Sequence, residues 1–176
     1  MNAPIIDFRP QTRLEEIRER LAAQPGGVLE TVARDLSVPL QMVLEALPPA
    51  ERVFIPGERF EQIWTALAGW GEVLFIVHSP DIVLECTGTL PVGSFGRGYY
   101  NIHGDSAIGG HIRAENCKAI YLVDRIFHGR RSCSVQFFNA AGEAMFKVFV
   151  RRDGNRQLIG DQVAAFERLR DAERQT

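Results

Sequence analysis

Residues 73–117 read VLFIVHSPDIVLECTGTLPVGSFGRGYYNIHGDSAIGGHIRAENC, and their rhythm sets the fold class. Short apolar runs alternate with clusters of Gly, Pro, Ser, Asn and Asp, the pattern of strands separated by turns. The spacing predicts strands over 73–77 and 82–87, joined by a hairpin turn at His78-Ser79-Pro80-Asp81. Shorter strands follow around 99–103 and 110–114. Downstream, 119–127, 133–138 and 144–150 are longer strands, with Asn139-Ala140-Ala141-Gly142 as a hairpin connection. Upstream the period lengthens. Residues 60–69 carry Ile63, Trp64 and Leu67 at helical spacing, after a connector that follows Pro48-Pro49.

The chain opens in the same helical period. Residues 1 to about 50 read as helices, beginning with the stripe Leu14, Ile17, Leu21, which Gln24-Pro25-Gly26-Gly27 stops. Two short helices follow over 28–36 and 39–47. Ser37 is placed to cap the second of them, and Pro39 is tolerated in its first turn. At the other end, Asp153-Gly154-Asn155 starts a last helix whose Ile159, Val163, Phe166 and Leu169 share one face. The expectation is an α+β protein: an N-terminal helical bundle with a helix-turn-helix-like segment in residues 1–50, then an antiparallel β-meander sheet and a C-terminal helix in 51–176.

Bulk properties narrow the function. The 176 residues suffice for one sizeable core. Lys and Arg number 20 against 22 Asp and Glu, so the net charge of −2 gives no general attraction to nucleic acid or acidic membranes. No apolar stretch approaches the roughly 20 residues that span a bilayer. Residues 1–10 lack a basic region followed by an apolar core, so no secretory signal is expected and the cytoplasm is the expected compartment. Cys86, Cys117 and Cys133 are odd in number and widely spaced, which suits reduced thiols better than disulfides. There is no GxSxG elbow, Walker loop or Rossmann fingerprint, and Ser94-Phe95-Gly96-Arg97-Gly98 leads into a strand and so forms no phosphate cradle.

Histidines carry the chemistry that remains. His78 ends an apolar run and shares a face with Ile76 and Leu74. An imidazole at the edge of an apolar wall suits an axial ligand for haem iron, since the porphyrin needs the wall and the iron the nitrogen. It equally suits a turn histidine that bonds only the backbone. His111 follows Gly109-Gly110, where missing side chains admit a flat ligand or mark a bulge. Arg113 shares its face and could pair with a propionate, or lie solvated. Tyr99, Tyr100 and Tyr121 are further candidate iron ligands, though strand tyrosines usually just pack. His103 and His128 lie near turns, and no histidine pair has zinc spacing. The helices over 28–36 and 39–47 have helix-turn-helix dimensions, but PLQMVLEAL carries no Lys or Arg and one Glu, which argues for packing rather than DNA binding.

GGVLETVARDLSVPLQMVLEALP, WGEVLFIVHSPDIVLE, GGHIRAENC, AMFKVFVRRDGNRQL and DQVAAFERL together resemble the bacterial cytosolic haem carriers of the haem-utilisation type, the HutX/ChuX family, in matching order and spacing. The resemblance implies a carrier that binds haem b non-covalently and reversibly, and passes it to a haem-degrading partner enzyme. It implies a homodimer of α+β subunits without enzymatic activity, nucleic acid or membrane. His78 and His111 fall where the family's haem-linked histidines stand, with Arg113 beside them and Tyr121 as an alternative ligand. A haem-degrading enzyme is the second reading and a helix-turn-helix regulator the third.

Overall fold

The longest strands form where β-branched and aromatic residues alternate most regularly. In the computed structural model, which describes residues 10–175, these are β7 (Ala119–Phe127), β8 (Arg130–Phe138) and β9 (Ala144–Phe149). Before them come α1 (Pro10–Ala23), α2 (Leu29–Leu36), α3 (Leu40–Ala46), β1 (Arg52–Pro56), α4 (Phe60–Ala68), β2 (Glu72–His78), β3 (Val83–Thr89), β4 (Ser94–Gly96), β5 (Tyr99–Ile102) and β6 (Gly110–Ile112). The chain closes with α5 (Gly160–Arg174). The expectation for residues 1–9 lies outside the described residues.

Six strands make one antiparallel sheet in the order β1-β7-β8-β9-β2-β3, and β4-β5-β6 make a second, three-stranded one. The α+β architecture matches the expectation, with a correction to the meander. Within the six-stranded sheet β7-β8-β9 is the one run of three strands in sequence order. The β2-β3 hairpin joins the far side of β9, and β1 pairs with β7. The supposed connector after Pro48-Pro49 is therefore a strand, whose inward residues Val53 and Ile55 are buried.

Each face of the large sheet carries its own core. On one face Ile120, Leu122, Val135, Phe137, Phe146 and Val148 pack with Phe60, Trp64 and Leu67 of α4, Phe166 of α5, and Tyr100 and Ile102 of the small sheet. Aromatic rings interlock there, with Phe137 and Phe146 stacked at 4.4 Å and Phe60 edge-on to Tyr100 at 5.4 Å. The other face is covered for half its width. Ala119, Tyr121, Val123 and Phe138 lie under Ile17 of α1, Leu29 and Val32 of α2, and Val43 and Leu44 of α3. The helix-turn-helix-like segment thus spends its apolar residues on the sheet.

Two local expectations change. Ser37 does not cap α3. It terminates α2 in the left-handed region (φ 53°), its amide bonding back to Ala33 and Arg34 carbonyls. Asp153 does not start α5 either. Its carboxylate accepts the amides of Asn155 and Gln157, which makes a tight turn closed by pairing of Arg152 with Leu158, and the helix begins at Gly160.

Candidate functional site

The uncovered half of that second face is a cleft of about 590 Å³ between the start of α2 and strands β2, β3, β7, β8 and β9. Strand register explains its lining. Tyr121, Gln136, Lys147, Ile76 and Glu85 stand in one row across β7, β8, β9, β2 and β3. Val123, Ser134, Phe149, Leu74 and Thr87 form the next row. The period of two points all ten side chains to the same face. Helices roof the Tyr121 end, and the rest is open. Leu74, Ile76, Val83 and Phe149 supply apolar wall, with Val28 and Leu29 opposite on the helical side.

Polar groups sit inside this apolar frame. Lys147 is 5% exposed, yet it projects from the middle of β9 into the cleft, where its ammonium pairs with the Glu30 carboxylate of α2. The Nδ1 atom of His78 lies 3.2 Å from the same carboxylate oxygen. Burial alone would raise the Glu30 carboxyl, but Lys147, with a smaller contribution from His78, outweighs it and holds the group below its ordinary value. Glu30 therefore stands as an anion that accepts the Lys147 ammonium and has the His78 ring beside it. Arg125 enters from β7, its Nη1 donating to the Gly27 carbonyl at 3.1 Å. Burial pushes the guanidinium pKa below its ordinary value.

Among the described residues, Arg125 Nε and Gln136 Oε1 are the buried side-chain polar atoms without a hydrogen-bond partner, and both residues line this cleft. Natural proteins rarely leave such atoms unpaired, and these two belong to residues at different levels of the same cleft wall. The chemistry on offer is an apolar slot with two cations in it and one imidazole on its wall.

The residues singled out in the sequence divide. His78 is on the cleft wall, and its ring meets a carboxylate rather than the backbone. His111 and Arg113 are not in the cleft. They lie on the outer face of the small sheet, whose inner face (Tyr100, Ile102) joins the core. His111 Nδ1 is 2.7 Å from Asn101 Oδ1. The Asn101 amide nitrogen donates to the carbonyls of Ser94, Gly96 and Tyr99, so the atom facing His111 is the amide oxygen, and Nδ1 carries the proton. Nε2 is left as a free lone pair. Arg113 lies 4.7 Å over the Tyr99 ring and donates to its hydroxyl at 2.8 Å, and His103 stands edge-on to His111 at 5.4 Å.

Tyr121 is under the helices. It is 2% exposed, its hydroxyl donates to Glu45 at 3.0 Å, and burial together with that carboxylate pushes its pKa up to about 12. Three strand spacings, about 14 Å, separate it from Ile76 in the same row. A tyrosinate ligand needs the opposite environment. Glu30, Lys147 and Arg125 are not legible in the sequence because their contacts are distant in it: Lys147 meets Glu30 117 positions away and Arg125 meets Gly27 98 positions away. One sign was legible: a lysine in the strand AMFKVFV, where inward charge is costly unless paired.

The haem utilisation ChuX/HutX family model matches residues 53–169. The intracellular heme transport protein HutX of Vibrio cholerae is 34% identical over 173 residues, covering 93% of this chain and 90% of that protein. A solved structure of the heme binding protein ChuX superposes with a TM-score of 0.82 at 39% identity, covering 90% of this chain and 99% of the other. A more distant likeness, in fold alone, is to apo-PhuS of Pseudomonas aeruginosa: TM-score 0.73, 13% identity, 96% of this chain, 50% of that one. Matched over most of its length by a family model, a curated relative and a solved structure, the chain belongs to the haem utilisation ChuX/HutX family.

Proposed function

We propose that this protein is a cytosolic haem carrier: it binds haem b non-covalently, releases it chemically unchanged, and delivers it to a haem-degrading enzyme. The observation that carries the reading is His78 on the wall of an apolar cleft that also holds Lys147 and Arg125. A porphyrin needs apolar surface for its faces, a nitrogen for its iron and cations for its propionates, and the cleft offers all three. Coordination without a thioether bond is reversible, and the cleft's open side permits hand-over. The names of HutX and ChuX support the same cargo.

In this reading His78 is the cleft ligand. His111, with its Nε2 free, and Arg113 form a second, exposed contact that haem meets on its way in or out. The carrier works as a homodimer. Support comes from the edge strand β3, whose Val83 and Leu84, with Ile82 before it, are more than half exposed. An apolar strand edge of this kind favours cover by another chain.

Titrating the purified protein with haemin tests the reading. A Soret shift saturating at one haemin per protomer is expected, with no bilin formed when reductant and oxygen are added. A spectrum identical to free haemin refutes the carrier, and bilin formation with turnover refutes transport without chemistry. Light scattering that reports a 19.7 kDa monomer at micromolar concentration removes the homodimer.

A further inference from the structure

We propose that Glu30 is a positioning residue for His78: its carboxylate stands 3.2 Å from Nδ1 of the ring on the side away from Nε2, which is left for the iron, and its negative charge makes His78 the stronger of the two histidine ligands. The inference rests on the haem-carrier reading. It begins with a convergence of three elements, the first turn of α2 (Glu30), β9 (Lys147) and β2 (His78), on one carboxylate oxygen. The buried Lys147 ammonium holds Glu30 against the sheet. The ring of His78 approaches the same oxygen at 3.2 Å. His78 Nε2 has no hydrogen-bond partner among the described residues.

The molecule contains its own comparison. His111 also has a partner at Nδ1, but a neutral one, hydrogen-bonded to the amide of Asn101 where His78 has a carboxylate in contact. An imidazole whose Nδ1–H faces a carboxylate is a stronger donor to a metal through Nε2 than one facing an amide, because the anion stabilises the positive charge that the ring acquires. The same anion stabilises ferric over ferrous iron. Haem would therefore be retained at His78, in the ferric state, while His111 is the weaker ligand, suited to transfer.

The test is a set of variants in the full chain, each checked for folding by circular dichroism and read by haemin dissociation constant, Soret position and the ferric/ferrous midpoint potential. Glu30→Gln is expected to weaken haemin binding about 10–100-fold, the usual effect of removing a ligand's outer partner, and to raise the potential. Glu30→Asp, which keeps the charge, recovers part of both. Because Glu30→Gln also leaves Lys147 unpaired, Glu30→Gln with Lys147→Met is the second variant. Lys147→Met alone is its control, because that change also removes a cation from the cleft. If Glu30 acts through His78, the double variant binds more weakly and at a higher potential than Lys147→Met alone. If the two agree, Glu30 serves only to neutralise Lys147 and the proposal fails. Wild-type values for Glu30→Gln, beside a clear loss in His78→Ala, overturn the positioning role and leave the carrier reading standing. Wild-type spectrum and affinity in His78→Ala remove His78 as ligand and the proposal with it.

Discussion

At the scale of the residue, the two histidines differ in setting more than in chemistry. His78 is partly enclosed and faces a charged group, whereas His111 is exposed and faces an amide. Neither contributes to a core, so His78→Ala and His111→Ala should each stay folded, within about 0.5 kcal/mol for the exposed His111. Both should alter the haem absorbance spectrum, and His78→Ala should release haem faster when apomyoglobin is offered as acceptor. Unchanged spectra in the double variant would place the iron ligand elsewhere. Tyr121 behaves differently. Its hydroxyl is committed to Glu45, so Tyr121→Phe should leave haem spectrum and affinity unchanged while costing about 1 kcal/mol in denaturant stability. A lost Soret shift in that variant would restore it as a ligand.

At the scale of the element, the N-terminal helices turn their apolar residues onto the sheet. α3 buries Leu40, Val43, Leu44 and Ala46, leaving no basic or extended face for a groove. Residues 25–49 contain Arg34 as their one basic residue against Glu30, Asp35 and Glu45, and Glu30 is already tied to Lys147. Duplex DNA at low salt, where phosphate attraction is strongest, should show no binding below a micromolar dissociation constant by fluorescence anisotropy. Binding at that level, lost on removing residues 1–50, would establish a regulator. Elements with several inward apolar residues were legible from periodicity alone: α4, β2, β7, β8 and β9. β1 was not. It has only two buried residues, Val53 and Ile55, follows Pro48-Pro49 and ends in Pro56, so its strand character comes from pairing with β7, 63–71 residues away. β4 is three exposed residues held by β5. In the site, His78 was visible because it ends an apolar run. The carboxylate beside it was not, since Glu30 looks in sequence like any polar residue in the first turn of a helix.

For the whole molecule, burial sets a limit at high pH. Burial pushes the Cys133 thiol up to about 12, with Asp124 adding to the effect, and the Cys117 thiol up to about 11; Tyr121 is raised to about 12. All three titrate lower in the unfolded chain, from about 9 for thiols and 10 for the phenol. Between those values the unfolded state binds fewer protons than the folded one, so unfolding becomes easier as pH rises. Full stability is therefore expected below about pH 9, with a steady loss from there to about pH 12, read as a falling urea midpoint. A midpoint flat to pH 11 would contradict the burial of these groups. Cys133→Ala should flatten part of that loss, at the expense of a small cavity beside Asp124.

The two cores lie on opposite faces of one sheet and share no residue. A cargo that lodges beside α2 presses on the smaller core through Leu29 and Val123 and meets the larger one only at its margin, at Val150 and Leu158. The main scaffold (α4, α5 and the inner faces of β7–β9) can then keep one shape through loading and unloading, while the helical cap breathes. Backbone amides should record this as unequal protection. Without haem, amides of α1–α3 should exchange with solvent deuterium faster than those of β7–β9. Haem should slow the first group and leave the second nearly untouched, so that filling and emptying cost the protein a local opening and never its fold.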